Sequence, residues 1–309
     1  MQGDRNKDMN IVILGAGAIG SLFGALLSKK NNVVLVGRSS HIKAIRKKGL
    51  DIKGKTQLNV KILSEDSINK VTLLPDILIL TVKSYDTNSA ISQAKSIIHG
   101  DTAVLSLQNG LGNINKIEKV VDRRQIIAGV TTDGAFFSEY GVVKHTGKGR
   151  TILGELNGHK TKRIESIVDA FNGAGIETIA SGDILREIWI KAVVNSSINP
   201  LTSFSRCKNG YLLENPILEK IVERICREST NIANVYGIKL SYENMIKKTK
   251  EVIRNTSENY SSMLQSFKKG KKTEIDSING KLTDIGKKHN VDTTMNEILT
   301  YIVKFGCCN

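Results

Sequence analysis

The run Asn10-Ile11-Val12-Ile13-Leu14-Gly15-Ala16-Gly17-Ala18-Ile19-Gly20 sets a β-forming segment directly before a G-x-G-x-x-G turn, and an apolar helical pattern follows over residues 21–27. A strand, a tight glycine turn and a helix in that order form the opening unit of a dinucleotide-binding α/β domain. Gly15 permits the sharp turn, Gly17 lets backbone approach a pyrophosphate, and Gly20 lets the helix pack closely on the strand. The expected phosphate cradle is Gly15, Ala16, Gly17, Ala18, Ile19 and Gly20, with N–H groups at the helix start facing the anion.

The second strand, Val33-Val34-Leu35-Val36, bears on which dinucleotide is bound. Sites selective for NAD usually place an acid after this strand to hold the ribose 2′-OH. Here Gly37, Arg38, Ser39 and Ser40 follow instead. An acid repels a 2′-phosphate, whereas a guanidinium pairs with it, so the expected cofactor is NADPH with Arg38 as the phosphate ligand.

Apolar runs at 10–14, 32–36, 76–82, 102–107 and 125–130 read as buried parallel strands, with room between them for crossover helices. That pattern is a doubly wound α/β domain of Rossmann type. Segments 142–145 and 151–155, separated by Gly147-Lys148-Gly149, suggest a hairpin added to the sheet. A helix at 160–171 and a strand at 176–180 complete the domain. Beyond Asp183, segments 184–198, 216–236, 241–254, 257–268 and 273–288 all carry helical period. The expected division is residues 1–183, binding NADP, and residues 184–309, all helical, binding substrate.

The 309 residues carry a formal charge of +15, which raises the question of nucleic acid. The basic residues are spread along the chain, with no aromatic interleaving or helix-turn-helix signature, so solvated faces explain most of them and no nucleic-acid partner is expected. A basic bias also attracts an anionic cofactor and substrate. Residues 1–8 read as a polar leader without a targeting core. No stretch is long and apolar enough to span a bilayer, so no membrane association is expected. Cys207, Cys226, Cys307 and Cys308 lack metal-ligand spacing, and the histidines are scattered singly, so no metal is expected. A reducing, cytoplasmic setting fits. Nothing in the sequence fixes oligomeric state, and a homodimer stays open.

Lys191, Asn195 and Asn199 recur every four residues in an otherwise apolar segment, forming one row on a helix. A lysine and two amides in such surroundings are costly unless something polar binds there. Pro200 is expected to end or kink the helix just past the row and to free backbone groups near a ligand. A ketone receiving hydride develops negative charge on oxygen, and a shielded lysine can both stabilise and protonate it.

Seven segments then occur in one order: Gly15-Ala16-Gly17-Ala18-Ile19-Gly20; Thr81-Val82-Lys83; Leu107-Gln108-Asn109-Gly110-Leu111-Gly112; Trp189-x-Lys191-x-x-x-Asn195-x-x-x-Asn199-Pro200-Leu201-Thr202; Asn209-Gly210; Ser261-Ser262-Met263-Leu264-Gln265; and Thr273-Glu274-Ile275-Asp276-x-Ile278-Asn279-Gly280. With these the chain resembles the ketopantoate reductase (2-dehydropantoate 2-reductase) family from Gly15 nearly to its C-terminus. The resemblance implies NADPH-dependent reduction of 2-dehydropantoate to (R)-pantoate, a step of pantothenate and coenzyme A biosynthesis. It also implies a helical domain similar to the C-terminal domain of 6-phosphogluconate dehydrogenase.

By position, Lys191 matches the family's general acid and Glu274 a carboxylate that orders substrate and cofactor. Asn195, Asn199, Asn209, Asn259 and Ser262 match substrate contacts, Asn109 matches both substrate and cofactor contacts, and Lys83, Ala135 and Arg38 match cofactor contacts. A helix-capping role for the acids after Thr273 competes with the active-site role. The segment Asp133-Gly134-Ala135-Phe136-Phe137 departs from a basic or His-containing stretch common in relatives. The reaction is expected in the cleft between the domains. The rival readings are an NADP-dependent reductase of another branched 2-oxo acid and a noncatalytic NADPH-binding regulator.

Overall fold

A computed structural model describes residues 8–306; the leader segment 1–7, Cys307 and Cys308 lie outside the described residues. The chain forms two compact units. The first runs through Gln108 and resumes over Asn113–Leu185, and the second takes Asn109–Gly112 and the residues from Arg186 onward.

The first unit is built on an eight-stranded sheet. Its strands are β1 (Asn10–Leu14), β2 (Asn32–Val36), β5 (Leu63–Glu65), β6 (Ile77–Leu80), β7 (Ala103–Ser106), β8 (Ile126–Thr131), β11 (Thr151–Glu155) and β12 (Thr178–Ala180). Their order is β12-β11-β8-β7-β6-β1-β2-β5, and every pairing is parallel except β8 with β11. From β1 the chain first adds β2 and β5 on one side and then β6, β7 and β8 on the other. The strand order therefore reverses between β1 and β6, where open α/β sheets bind ligands at the strands' carboxyl ends.

A second sheet, ordered β4-β3-β10-β9, comprises β3 (Leu50–Gly54), β4 (Leu58–Val60), β9 (Gly134–Glu139) and β10 (Val142–Gly147). Helix α1 (Ala18–Leu27) is buried from Gly20 to Leu27 and packs against strands of both sheets. Its sequence, apolar all round, suits a helix enclosed on both sides. Leu22 and Phe23 join Ile11 and Ile13 of the main sheet and Ile52 and Val143 of the second in one core.

The expected hairpin of 142–145 with 151–155 does not form. Strand β10 pairs with β9 and β3, whereas β11 pairs with β8 and β12, so the Gly147-Lys148-Gly149 linker carries the chain from one sheet to the other. Strands β3, β4, β5 and β9 were not anticipated from the sequence.

His41, in α2 (Ser39–Lys48), ties this helix to the turn between β9 and β10. The Gly141 N–H donates to its Nδ1 (2.9 Å), so the ring proton sits on Nε2, 3.1 Å from Ser21 Oγ. Burial lowers the His41 pKa from 6.5 to about 4. The unfolded chain therefore binds the extra proton first, and this contribution to stability, complete above pH 6.5, declines as pH falls toward about 4. His41→Gln is expected to flatten the acid side of the melting profile in that window; superimposable parent and variant profiles would refute the role.

The second unit is helical: α6 (Ile184–Ser205), α7 (Tyr211–Glu214), α8 (Pro216–Val235), α9 (Tyr242–Asn255), α10 (Ser262–Lys268), α11 (Asn279–Lys288) and α12 (Thr294–Gly306). The labels α3 to α5 belong to Thr87–Ala94, Asn113–Ile117 and Lys162–Gly173 of the first unit. Sequence punctuation explains several starts. Asn215 accepts from the Ile217 and Leu218 N–H groups with Pro216 at the first helical position, and Ser241 caps α9.

Two expectations in this half are corrected, and one helix is added. The helix read from 257 starts only at Ser262, because Ser261 serves as its cap and accepts from the Leu264 N–H. The segment read as one helix from 273 is a 3₁₀ turn at Ile275–Ser277 followed by α11, with Ile278 at φ −107° and ψ −91° breaking the two. Helix α12 extends beyond the last helix read from the sequence. Among the described residues, no helix is long and apolar enough to cross a membrane.

Candidate functional site

The three fingerprint glycines have separate structural reasons. Gly15 adopts φ +122°, and a Cβ there would stand 2.5 Å from the Val82 backbone nitrogen. At Gly20 a Cβ would lie 2.1 Å from the Gly15 carbonyl oxygen and 2.4 Å from Thr81 Oγ1. Gly17 differs: its nearest neighbour to an added Cβ is the Gly15 oxygen at 4.0 Å, so the space beside it is open. Gly15 and Gly20 thus serve the turn, while Gly17 keeps room for an incoming group. Helix α1 also starts with no side-chain cap and no acid in its first turn, leaving its leading N–H groups for an anion. The turn fits a dinucleotide pyrophosphate held by Gly15, Ala16, Gly17, Ala18, Ile19 and Gly20.

Thr81, just past β6, donates through Oγ1 to the Gly15 carbonyl at 2.8 Å and pins the glycine turn to the neighbouring strand end. Lys83 follows at the cap of a 3₁₀ turn, Ser84–Asp86. Gln108 braces the same edge: its Nε2 donates to the Val82 carbonyl (2.9 Å) and Thr87 Oγ1 (2.8 Å).

After β2, a Cβ on Gly37 would meet the Ala16 Cβ at 2.3 Å. The turn therefore excludes any side chain at that position, the acid of NAD-selective sites included. Arg38 follows, exposed at the cap of α2. Ser39 Oγ donates to Asp66 Oδ2 (3.2 Å), an acid that sequence reasoning missed because it lies beyond the unanticipated β5. Lys70 takes the other Asp66 oxygen at 2.7 Å and, chiefly through that bond, holds the carboxyl below its ordinary pKa. Ala135 sits in β9, paired with His145 and packed on the core shared by the two sheets.

In the second unit, Lys191, Asn195 and Asn199 all lie on α6. Lys191 and Asn195 are half-buried and Asn199 is 6% exposed. Among the described residues, no side-chain hydrogen bond engages the Asn195 or Asn199 amide. The buried hydroxyls beside them are instead satisfied locally, Ser197 by the Val193 carbonyl and Ser203 by the Asn199 carbonyl. Within the row, the Asn195 and Asn199 amides are thus the polar groups of α6 that the described residues leave without a side-chain partner.

Hydrogen bonds gather several of the other residues nearby. Thr202 Oγ1 donates to Ser261 Oγ (2.7 Å), which brings the start of α10, with Ser262 exposed at its first position, to the end of α6. The Asn209 N–H donates to the Asn259 carbonyl (3.0 Å) and its Nδ2 to Thr256 Oγ1 (2.9 Å), while Asn209 Oδ1 is buried with no donor among the described residues. Glu274 is 6% exposed and makes no side-chain cap. Its carbonyl accepts from the Ser277 N–H and hydroxyl. The Ser277 carbonyl in turn accepts the Leu111 N–H at 2.7 Å, so the loop bearing Asn109 belongs to this unit's fabric. The sequence carries no signal for that exchange of Asn109–Gly112.

The freed backbone expected at Pro200 is also different. Helix α6 continues through Pro200 to Ser205, and Asn279 Nδ2 donates to the Ser196 carbonyl at 3.1 Å. Among the described residues, no group of three His, Cys, Asp or Glu side chains could hold a metal ion.

Comparisons with known proteins bear on the whole chain. Residues 11–158 match the family model described as ketopantoate reductase PanE/ApbA, and residues 183–306 match its C-terminal companion. The 2-dehydropantoate 2-reductase of Pyrococcus abyssi is 42% identical over 297 residues, covering 96% of this chain and 97% of that protein. The enzyme of the same name from Archaeoglobus fulgidus is 36% identical, covering 95% and 96%. Among solved structures, a D-mandelate dehydrogenase complex with NADH and anilino(oxo)acetate superposes with a TM-score of 0.92 at 30% identity, covering 97% of this chain and 99% of that one. A PanE/ApbA family ketopantoate reductase from Ralstonia eutropha gives 0.89 at 25% identity, with the same coverage.

Proposed function

The chain belongs to the ketopantoate reductase family, and from that premise we propose that it reduces 2-dehydropantoate to (R)-pantoate with NADPH, in the biosynthesis of pantothenate and coenzyme A. The observation that carries the reading is the α6 row, where a lysine and two disengaged amides stand in line on a largely buried helix. NADPH, when bound, supplies the hydride. Its pyrophosphate would rest on residues 15–20, its 2′-phosphate on Arg38, and Lys83, Asn109 and Ala135 would complete its contacts.

Lys191 donates a proton to the C2 oxygen as negative charge develops there, and its own charge stabilises that oxygen. Asn195 and Asn199, together with Asn209, Asn259, Asn109 and Ser262, hold the carboxylate and hydroxyl groups of the 2-oxo acid. Glu274 orders the substrate and cofactor. Positioning both reactants before the hydride and proton are transferred supplies much of the acceleration.

One observation favours a second reading, a reductase of a different 2-oxo acid: the D-mandelate dehydrogenase likeness, whose complex holds anilino(oxo)acetate. Absorbance of the reduced nicotinamide with 2-dehydropantoate, 2-oxoisovalerate and benzoylformate separates the readings. Preference for 2-dehydropantoate is expected, since only it carries the terminal hydroxyl that an Asn or Ser side chain can grip; preference for benzoylformate would overturn the substrate.

Arg38→Ala is expected to weaken NADPH binding by roughly 10–100-fold, the scale of a lost charge-assisted phosphate contact, with NADH binding nearly unchanged. Equal effects on both cofactors, read by fluorescence titration, would remove Arg38 from the 2′-phosphate site.

A further inference from the structure

Pro200 lies inside α6 and has no N–H to give the carbonyl four residues back. That carbonyl belongs to Ser196, between Asn195 and Asn199. A buried carbonyl without a donor is costly and tends to tilt out of the helix. Here Asn279, wholly buried at the start of α11, takes the place of the missing donor through Nδ2.

The Asn279 amide is held in that orientation by a chain of partners. Glu228, on α8, accepts from the Met295 and Asn296 N–H groups, both at 2.8 Å, and from Asn296 Nδ2 at 2.7 Å. The acid accepts at these oxygens, so Asn296 must turn its amino group to Glu228 and its oxygen away. That oxygen accepts from Asn279 Nδ2 at 2.9 Å. Asn279 is thereby fixed with its amino group toward both Asn296 and Ser196. Its own Oδ1, buried, takes no donor among the described residues. The side chain is kept for its two N–H bonds although its carbonyl goes without a partner.

We propose that Asn279 is a positioning residue for the reaction: by holding the Ser196 carbonyl across Pro200, it sets the trace of α6 between Asn195 and Asn199 and so the spacing of the Lys191 row. The proposal rests on the reading that this row grips the 2-oxo acid. Groups that grip a substrate do so only in a narrow geometry, so a small displacement of the row should show as weaker capture of the 2-oxo acid.

The test is a cycle of four proteins: parent, Asn279→Ala, Pro200→Ala and the double variant. Asn279→Ala is expected to raise KM for 2-dehydropantoate roughly tenfold, the effect of one lost hydrogen bond in a buried site, with NADPH affinity unchanged. In the Pro200→Ala background the backbone regains an N–H of its own for the Ser196 carbonyl, and there the Asn279 substitution is expected to change KM less than about threefold. Equal penalties in both backgrounds, no change in KM, or a parallel loss of NADPH affinity would overturn the proposal. Should Asn279→Ala fail to fold, Asn279→Leu removes the same donors at similar volume without adding a buried charge and takes its place in the cycle. A parent without turnover of 2-dehydropantoate would defeat the functional reading instead, and the cycle is then run with the 2-oxo acid that the parent does reduce.

Discussion

Lys191→Ala is expected to lower kcat by roughly 10²–10⁴-fold, the range that a positioned general acid contributes. NADPH affinity should hardly change, because residues 15–20 and Arg38, which would hold the nucleotide, lie in the first unit and Lys191 lies in the second. On the proposed role, removing the ammonium group would delete both the proton source and the charge beside the developing oxyanion, so the loss should fall on kcat rather than on cofactor binding. Lys191→Arg tests the two parts separately. A guanidinium preserves the charge yet holds its proton far more tightly than an ammonium, so little activity should return. Stopped-flow and steady-state measurements of nicotinamide oxidation decide the matter. Turnover of the Ala variant within threefold of the parent would remove Lys191 from the chemistry, and the noncatalytic NADPH-binding alternative would then gain ground.

A paired substitution in the glycine turn should give the next largest effect. Gly17→Ala places its Cβ in open space, with nothing nearer than 4.0 Å, so the free protein should melt as the parent does. On the proposed cofactor site a methyl group there would stand where the phosphates approach, and overpacking of about 1–3 kcal/mol corresponds to NADPH affinity lowered by roughly 5–150-fold. Gly20→Ala reverses the pattern. Its Cβ would fall 2.1 Å from the Gly15 carbonyl oxygen, a backbone atom that cannot move without opening the turn. Destabilisation near the upper end of the overpacking range, about 3 kcal/mol, should lower the melting temperature by about 6–12 °C. Calorimetry and cofactor titration on the two variants form the check. A Gly17 variant with unchanged NADPH affinity would contradict a pyrophosphate beside that residue.

Much of the first unit was legible because its signals are local. Strands β1, β2 and β11 begin and end where the apolar runs do, since a buried parallel or central strand is a short uninterrupted hydrophobic stretch. Strand β3 also left a local mark, Leu50 and Ile52 inward with Asp51 and Lys53 at the alternate positions, but so short an alternation competes with loop readings. The pairing of β10 with β3 was not legible at all. Its neighbour β3 lies about ninety residues earlier in the chain, and no turn signal reports a partner at that distance. Helix α12 was hidden by its own inward stripe, in which Asn296 and Thr300 alternate with Leu299 and Val303.

The candidate site divides in the same way. Glycine spacing and the four-residue recurrence of Lys191, Asn195 and Asn199 are properties of single elements and can be read directly. Gly37 looked like the absence of an acid, whereas the Ala16 Cβ shows it to be a steric requirement. The bonds among Asn279, Asn296 and Glu228 join three helices, and each residue alone is indistinguishable from a surface polar group. Pro200 does remove a backbone donor, as its ring requires, but the group that compensates comes from α11 rather than from a ligand.

Enclosure of α1 between two sheets has a consequence for the thermodynamics of cofactor capture. A helix gripped on both faces can open only when one sheet separates from it, so its amides should be among the slowest in the first unit to exchange with deuterium. The glycine turn at its start, the proposed phosphate cradle, would then be ordered before any nucleotide arrives. Binding forfeits little backbone freedom there, and a larger share of the contact energy remains as affinity.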